Sequence, residues 1–346
     1  MKPFFIILSA LLLLPAIFLL WTYVRIPAIK PVLIIEENKQ PAVISVGDTI
    51  RFLSWNIGYA GLGGKMDFFF DGGEKVRAAE EETQANMQGI IAALRSQQPV
   101  DLFLFQEVDK GSRRSWNQDQ VALLTDSFPA HHPAFGWNYD VAFVPVPLHE
   151  PMGRVHSGLL TLSHFLPAEV VRYDLPGRFS WPKQMFMPYR CLLMVSFPVD
   201  NGKKLVVFNL HNSAFDPSGN QRDMQVARLR ELVLAAHAEG HYVVVGGDWN
   251  QSPAGYAASL TREGSAFASL PALEDDVFEG WQVAWDAKHP TNRALDRAYT
   301  PGVTGVTVID YFLCSPNIEV LDKETVNLDF RHSDHHPVRL KIRLLP

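Results

Sequence analysis

The hydrophobic pattern alternates between two kinds of segment over most of the chain. Short apolar runs rich in β-branched residues indicate strands, and two other segments repeat apolar residues at the i, i+3, i+4, i+7 spacing of a helix. One predicted helix spans 83–96 before Pro99, and the other runs through Leu229 and Val233 and ends at Gly240. The predicted strands lie at 50–55, 101–108, 204–211, 241–250, 307–315 and 334–345. Helices that alternate with short strands predict an α/β layered fold.

The N-terminal hydrophobic run is different, because it is long and uncharged. Residues 3–24 hold no charged side chain, and a helix needs about 20 apolar residues to cross the hydrocarbon core of a bilayer. Trp21 and Tyr23 fall where an interfacial aromatic belt lies. A cleaved signal peptide is the alternative, but the residues after the run are mostly bulky and offer no small-x-small cleavage site. We therefore predict an uncleaved, single-pass membrane anchor over 1–25.

The rest of the chain divides into a tether and one domain. Residues 26–48 hold three prolines and mixed charge, which predicts a tether with at most one short strand. Residues 49–346 contain no internal repeat or low-complexity tract, so they are predicted to form one domain. Lys2 and the amino terminus compete with Arg25 and Lys30 in setting the orientation. Since short N-terminal tails commonly stay in the cytoplasm, we expect the domain to lie outside it.

Composition and charge exclude few further classes of function. The 346 residues are 47% hydrophobic and 20% charged, which is ordinary for a globular protein. A net charge of -6 provides no overall basic field that would gather nucleic acid, although a local groove can still be basic. Cys191 and Cys314 both lie within apolar runs, which favours two buried free thiols over a disulfide, and no zinc-type cysteine spacing occurs.

Polar or ionisable side chains that could bind a ligand or transfer a proton lie at one end of nearly every predicted strand. They are Asn56, Glu107, His211, Asp248 with Asn250, Asp310, and Asp334 with His335. Each one alone has an ordinary explanation, such as an Asx turn or a surface hydrogen bond. Six such coincidences in one chain favour a shared site, because α/β proteins place their chemistry in the loops at strand ends.

These residue types match the needs of phosphate-ester hydrolysis. A carboxylate such as Glu107 suits Mg²⁺, a hard cation that neutralises phosphate charge. A histidine with a carboxylate partner, here His335 with an aspartate, can take the proton of an attacking water. Asn56, Asn250 and His211 can hold the phosphate oxygens as charge builds on them. The amide at the end of the first strand, Asn56, would then orient a metal ligand or a phosphate oxygen.

Seven stretches spread over 50–340 resemble, in this order, the endonuclease/exonuclease/phosphatase superfamily. They are SWNIG, LFQEV, SGLLTLS, FNLHNS, VVGGDWNQSP, IDYFLCS and SDHHPV. The resemblance implies a four-layer α/β sandwich, in which two packed mixed β-sheets are flanked by helices and the site lies where the ends of the sheets meet. It also implies a hydrolase of phosphate esters that uses Mg²⁺, or Mn²⁺ in its place.

The resemblance implies a metal site as well. Glu107 would be the principal Mg²⁺ ligand, assisted by Asn56, with Asp334 beside the metal. Some relatives carry an aspartate two residues after the first asparagine, where this chain has Gly58. The metal site would therefore hold one carboxylate fewer than in those nucleases.

The remaining implied roles concern the attacking water and the phosphate. Asp248 and Asn250 would position the nucleophilic water and bind phosphate. His335 would be the catalytic histidine, oriented by Asp310, and His211 would bind phosphate. His336 is expected to be a neighbour without a role, since only one histidine of the pair can face the site.

Two other classes of function compete with this interpretation. A zinc hydrolase built on His332, His335 and His336 is disfavoured, because their spacing lacks the i, i+4 geometry of a zinc-binding helix and Pro337 opposes a helix there. A non-catalytic, membrane-tethered binding module on the same fold should have lost Glu107, Asp248 or His335, and all three are present.

The substrate is the most open question. Two loops carry aromatic residues and methionine and hold few bases; they either cover the core or form an apolar lip that faces a membrane or a lipid-like substrate. The residues concerned are Phe68, Phe69, Phe70, Trp181, Phe186 and Met187. Basic residues in the strand-end loops are scattered, so the sequence favours a phosphorylated small molecule or a lipid head group, with DNA as the alternative. No protein partner can be inferred.

Overall fold

The computed structural model describes residues 2–214, 216, 219–253, 255–256, 272–274 and 276–346, with side chains described from residue 13 onward. Within these residues the helices are α1 (Lys2–Tyr23), α2 (Glu80–Ser96), α3 (Gln120–Ser127) and α4 (Asn220–Ala238). The first strands are β1 (Val32–Glu37), β2 (Thr49–Asn56), β3 (Leu102–Asp109), β4 (His132–Val144), β5 (Gly153–Ser163), β6 (Glu169–Asp174), β7 (Cys191–Pro198) and β8 (Lys204–His211). The remaining strands are β9 (Tyr242–Asp248), β10 (Gln282–Ala284), β11 (Asn292–Arg293), β12 (Val306–Thr307), β13 (Asp310–Cys314), β14 (Ile318–Thr325) and β15 (Val338–Leu344).

Two mixed β-sheets form the centre of the domain. One has the strand order β1-β6-β7-β8-β9-β13-β10, and the other has the order β14-β15-β2-β3-β5-β4. Each sheet contains one parallel pair, β8 with β9 and β2 with β3, among antiparallel neighbours. A separate two-stranded ribbon pairs β11 with β12. The predicted pair of packed mixed sheets is therefore confirmed.

Apolar side chains of the strands form one cluster between the two sheets and one on the outer face of each sheet. The main core lies between the two sheets and includes Phe52, Leu104, Leu193, Val207 and Phe312. Burial of each such side chain stabilises the fold by about 1.5–3 kcal/mol. The outer faces of the two sheets are covered by the helices that the apolar spacing predicted.

On one outer face, α2 packs Ile90 and Leu94 against Phe103 of β3. On the other, α4 packs Leu229 and Val233 into a cluster with the strand residues of β9. Because a helix layer flanks each sheet, the order of layers is helix, sheet, sheet, helix. The α2 helix begins three residues earlier than predicted, and its first turn carries three glutamates that suit the positive end of the helix dipole.

The segment predicted as a tether contributes to the domain. The predicted short strand is β1, which pairs antiparallel with β6 at the edge of the seven-stranded sheet. Ile44, further along the same segment, is buried in the main core and forms a backbone bridge with Val199. Much of 26–48 is thus packed onto the domain.

The N-terminal helix α1 runs from Lys2 to Tyr23. In the part of the chain that the structure describes, no helix has the length and apolar character needed to cross a membrane. The predicted anchor over 1–25 includes residues 1–12, which lie outside the described side chains. The anchor therefore stays a prediction.

Both cysteines are buried and free, as predicted. Burial raises the pKa of Cys191 to about 11 and the pKa of Cys314 to about 12. Both thiols are thus protonated and unreactive at neutral pH.

Candidate active site

The strand ends with polar residues meet at one edge of the sandwich. Parallel pairing sets the end of β8, His211, beside the end of β9, Asp248, and Asp310 faces Asp248 at the start of the antiparallel strand β13. The ends of β2 and β3 meet in the same way on the other sheet. Between them lies a cleft of about 290 Å³ whose lining includes Glu107, His211, Asp248, Asn250, Asp334 and His335.

His335 and Asp310 form a buried pair at the floor of this cleft. Nδ1 of His335 lies 2.8 Å from a carboxylate oxygen of Asp310. The amide nitrogen of Asn292 lies 2.9 Å from Nε2 of His335 and 3.2 Å from the backbone oxygen of Asp334. An amide nitrogen can only donate, so it donates to both the carbonyl oxygen and Nε2. The neutral tautomer with its proton on Nδ1 satisfies both ring contacts. In this tautomer Nε2 is the basic nitrogen of the ring, and in this structure its lone pair accepts from the amide of Asn292.

The charges around His335 oppose its neutral form. Burial lowers the pKa of His335, but the carboxylates of Asp310, Asp334 and Asp248 outweigh burial and raise it to about 10. Nε2 lies 3.8 Å from a carboxylate oxygen of Asp248 and 3.8 Å from one of Asp334. Burial raises the pKa of Asp248 to about 7 and the pKa of Asp334 to about 6. A cation near these carboxylates would favour their ionised forms and the neutral histidine.

Glu107 reaches the cleft because the backbone of β3 is irregular there. The register between β3 and β5 shifts between Phe105 and Val108, and Glu107 adopts a positive φ of 54°. Its carboxylate contacts are long, at 3.4 Å to the amide of Asn56, 3.9 Å to Arg114 and 4.0 Å to His211. The carboxylate oxygens therefore keep lone pairs for another ligand.

The donor set fits a hard divalent cation. Glu107 and Asp334 both line the open cleft, and an open carboxylate site suits Mg²⁺, which keeps several of its waters. Among the described residues, one group of three acidic or histidine side chains, Asp248, Asp310 and His335, has ligand atoms within 4.8 Å of one another. Two members of that group, Asp310 and His335, are already hydrogen-bonded to each other.

Asn56 orients two carboxylates. Its amide nitrogen lies 3.0 Å from Asp248 and 3.4 Å from Glu107, and its side-chain oxygen accepts from the backbone nitrogen of Gly58 at 3.0 Å. Gly58 has a positive φ of 50°, and a Cβ there would lie 2.8 Å from a carboxylate oxygen of Asp334. The glycine that departs from the family pattern thus leaves the space that Asp334 occupies.

Asn250 and His211 surround Asp248. The backbone nitrogen of Asn250 donates to Asp248 at 3.0 Å, and its side-chain amide donates to the backbone oxygen of Asn212 at 2.9 Å. Nε2 of His211 lies 3.4 Å from Asp248. Burial, with the nearby charges of Arg190 and His335, holds the pKa of His211 well below its ordinary value. The neutral ring can therefore act as a hydrogen-bond donor at neutral pH.

The structure adds Arg190, which the sequence analysis left among scattered bases. Arg190 lines the cleft, and burial lowers its pKa while Glu107 and Asp248 raise it. Among the described residues, its guanidinium has no hydrogen bond or ion pair, and the prediction missed it because a single arginine before a strand carries no periodic signal. Arg114, in contrast, is held by Asp109 at 2.9 and 3.1 Å and stacks on the ring of Tyr59.

His336 supports the fold and faces away from the chemistry. Its Nε2 accepts from the backbone nitrogen of Phe330 at 3.1 Å, so its Nδ1 donates to the backbone oxygen of Pro290 at 2.8 Å. The ring also stacks on Phe330 at 3.8 Å, and burial lowers its pKa to about 4. Because Nε2 has no lone pair to offer, the zinc site built on His332, His335 and His336 has no support.

The two aromatic loops divide between core and surface. Phe68 is buried in a cluster beside the cleft, whereas Phe70 is exposed. In the second loop, Trp181 is 59% exposed, while Phe186 stacks on Phe18 of α1. Some residues of these loops therefore cover the core, and others are exposed as an apolar lip would require.

Comparison with known proteins agrees with this geometry. The model of the Endonuclease/Exonuclease/phosphatase family matches residues 53–335. An endonuclease/exonuclease/phosphatase from Beutenbergia cavernae aligns over 86% of this chain and 72% of its own, with a TM-score of 0.59 and 19% identity. One from Bacteroides vulgatus covers 86% and 99%, with a TM-score of 0.55 and 15% identity. ANGEL2, a 2',3'-cyclic phosphatase, covers 86% and 96%, with a TM-score of 0.54 and 14% identity. At these identities the structures share the fold, and no curated protein sequence matches the chain.

Proposed function

Since the chain belongs to the endonuclease/exonuclease/phosphatase family, whose members hydrolyse phosphate esters, we propose that it hydrolyses a phosphate ester with a divalent cation and a water activated by His335. Mg²⁺ is the expected cation, and Mn²⁺ can replace it. The observation that carries the proposal is the hydrogen-bonded pair of His335 and Asp310 in a cleft lined by the carboxylates of Glu107, Asp248 and Asp334.

Each side chain has a task in this reaction. Glu107 and Asp334 would hold the cation, which when bound neutralises phosphate charge and lowers the pKa of a water. Asp310 fixes the proton of His335 on Nδ1, so that Nε2 can take a proton from the attacking water. Nε2 lies 3.8 Å from a carboxylate oxygen of Asp248, so one water beside the pair could contact both groups.

The phosphate oxygens need donors as negative charge builds on them. Asn250, the neutral ring of His211 and the guanidinium of Arg190 all line the cleft and can supply them. The guanidinium of Arg190, which has no partner among the described residues, would be the strongest of these donors, because a guanidinium can bind two oxygens of one phosphate at once.

The basic residues favour a small or membrane-presented ester over duplex DNA. A nuclease needs a row of lysines and arginines along the phosphate track of its substrate. Here Arg114 is bound to Asp109, Arg178 is bound to Asp174 at 2.7 Å, and Arg154 donates to the backbone of Gly111. We therefore propose a phosphorylated small molecule or a lipid head group as substrate, with DNA as the alternative.

The anchor over 1–25 is part of the proposal. Its support is the uncharged run at 3–24, and the catalytic domain would then lie on the extracytoplasmic side. The full-length chain should stay in the membrane fraction after a carbonate wash. Release of the intact chain by that wash would contradict the anchor.

Nicking of supercoiled plasmid tests the choice of substrate. The protein is assayed with Mg²⁺ at low salt on plasmid, an abasic-site oligonucleotide, sphingomyelin, phosphatidylinositol phosphates and simple monoesters, beside Glu107→Ala. Release of phosphate or of a phosphorylated head group without nicking supports the proposed substrate class. Rapid nicking that disappears in Glu107→Ala would make the protein a nuclease.

A further inference from the structure

The last turns of α1 pack on the wall of the catalytic cleft. Phe18 stacks on Phe186 with ring centroids 6.1 Å apart and meets Phe143 of β4 edge-on at 5.9 Å. One turn later, the buried hydroxyl of Thr22 lies 3.7 Å from the sulfur of Met185. The helix therefore ends on the segment 178–190, which we call the rim segment.

The rim segment continues directly into the cleft. The hydroxyl of Tyr139, a residue that lines the cleft, donates to the backbone oxygen of Phe186 at 2.7 Å. Pro188 and Arg190, two and four residues further along, also line the cleft. One short stretch of chain thus connects the end of α1 to the guanidinium of Arg190.

The side chains that α1 and the rim segment leave uncovered are apolar and aromatic. On α1, Leu20, Trp21 and Tyr23 are exposed, and Trp181 is exposed on the rim segment. Aromatic side chains of this kind favour the boundary between lipid head groups and acyl chains, where one end is apolar and the other is wet.

The two chain segments that form this surface carry charge of one sign. The chain has no acidic residue within 1–35 or within 175–199. Arg25, Lys30 and Lys183 are exposed, and among the described residues none of the three forms an ion pair. The guanidinium of Arg25 lies over the ring of Trp21 at 4.8 Å, and the ammonium of Lys183 lies over the ring of Phe179 at 4.3 Å. Paired basic and aromatic side chains suit the surface of an anionic bilayer.

We propose that the end of α1 and the rim segment form a lipid-docking surface that holds the mouth of the cleft at the head groups of an anionic bilayer. This inference rests on the proposed anchor and not on the hydrolytic activity. An anchor with a flexible tether would let the cleft face in any direction. Contacts from Phe18 and Thr22 instead fix the helix end to the cleft wall, so the depth of the helix end sets the position of the cleft.

A fluorescent probe on the rim segment tests the docking without reference to catalysis. The full-length protein is reconstituted in nanodiscs of phosphatidylcholine, with or without phosphatidylserine. Ser180, which is exposed beside Trp181, is replaced in Ser180→Cys and labelled with an environment-sensitive dye. The native thiols are buried, so the dye reacts at the introduced position. Lys323→Cys provides the matched control, because β14 lies at the opposite edge of the six-stranded sheet from β4.

The rim probe should report an apolar environment in anionic nanodiscs and be quenched by lipids that carry a spin label near the head group. The control probe should remain in water. Adding Lys183→Glu should lower the ratio of docked to undocked protein at least about five-fold, whereas Lys323→Glu should not change it. A rim probe that stays in water in nanodiscs of both compositions, or protein that does not enter nanodiscs, would overturn the proposal. The docking result does not depend on whether the same samples hydrolyse a substrate, so docking and the proposed activity can fail separately.

Discussion

His335 and Asp310, 25 positions apart in the chain, are joined by a hydrogen bond of 2.8 Å between Nδ1 and a carboxylate oxygen. The bond fixes which ring nitrogen carries the proton, and both side chains are almost fully buried. The second nitrogen faces the cleft near Asp248 and Asp334. Nε2 is then the basic nitrogen of the ring, and a water that gives its proton to Nε2 must take the place of the Asn292 amide, which lies 2.9 Å away.

Replacement of His335 by alanine should lower kcat by about 10²–10⁴, the contribution of a general base. Asp310→Asn should cost less, because the ring keeps its Nε2 but loses the carboxylate that selects its tautomer. The rates are measured at saturating substrate, with the exposed His149→Ala as the matched control. Turnover near the wild-type rate in His335→Ala would move the role of base to Asp248.

Arg190→Gln should lower kcat/KM by about 10–100-fold, since a hydrogen bond to a charged group contributes about 1.5–3 kcal/mol. Arg190 lines the cleft, so the substitution should remove the proposed contact with the phosphate. Arg178→Gln on the same segment is the control, because that guanidinium binds Asp174 outside the cleft. Equal effects of the two substitutions would show that Arg190 acts through the conformation of the loop.

The burial of His336 predicts a loss of stability in acid. Its pKa falls from an ordinary value of 6.5 to about 4 in the folded protein. The neutral ring therefore stabilises the fold fully above pH 6.5, and this contribution, up to about 3 kcal/mol, is lost as the pH falls towards 4. The free energy of unfolding, measured in urea at several pH values, should fall less steeply in His336→Gln than in wild type. His149→Gln should keep the wild-type slope, and an unchanged slope in His336→Gln would contradict the prediction.

The sequence predicted the parts of the site that stand at strand ends. Asn56, Glu107, His211 and Asp248 lie at or near the ends of strands that are mostly apolar and buried. Parallel pairing brings such ends together. Arg190 was missed as a site residue because it lies in an irregular segment. Only long-range packing brings it into the cleft.

Asn292 was missed for a similar reason. It lies in β11, a strand of two residues, which is too short to produce a periodic pattern. Its contact with His335 depends on a backbone bridge between distant segments. The bulge that turns Glu107 into the cleft is likewise a matter of sheet register, which neither spacing nor composition encodes.

We propose above that a divalent cation held by Glu107 and a base at His335 together hydrolyse a phosphate ester in this cleft. The most direct measurement is product release from the substrate panel by full-length protein after exhaustive chelation and after readdition of Mg²⁺ or Mn²⁺, with Glu107→Gln and His335→Ala alongside. We expect chelation to abolish hydrolysis, the cation to restore it in wild type, and both variants to stay inactive at matched cation concentration. Full hydrolysis after chelation, hydrolysis that survives in both variants, or no hydrolysis of any panel member by the cation-loaded protein would contradict it.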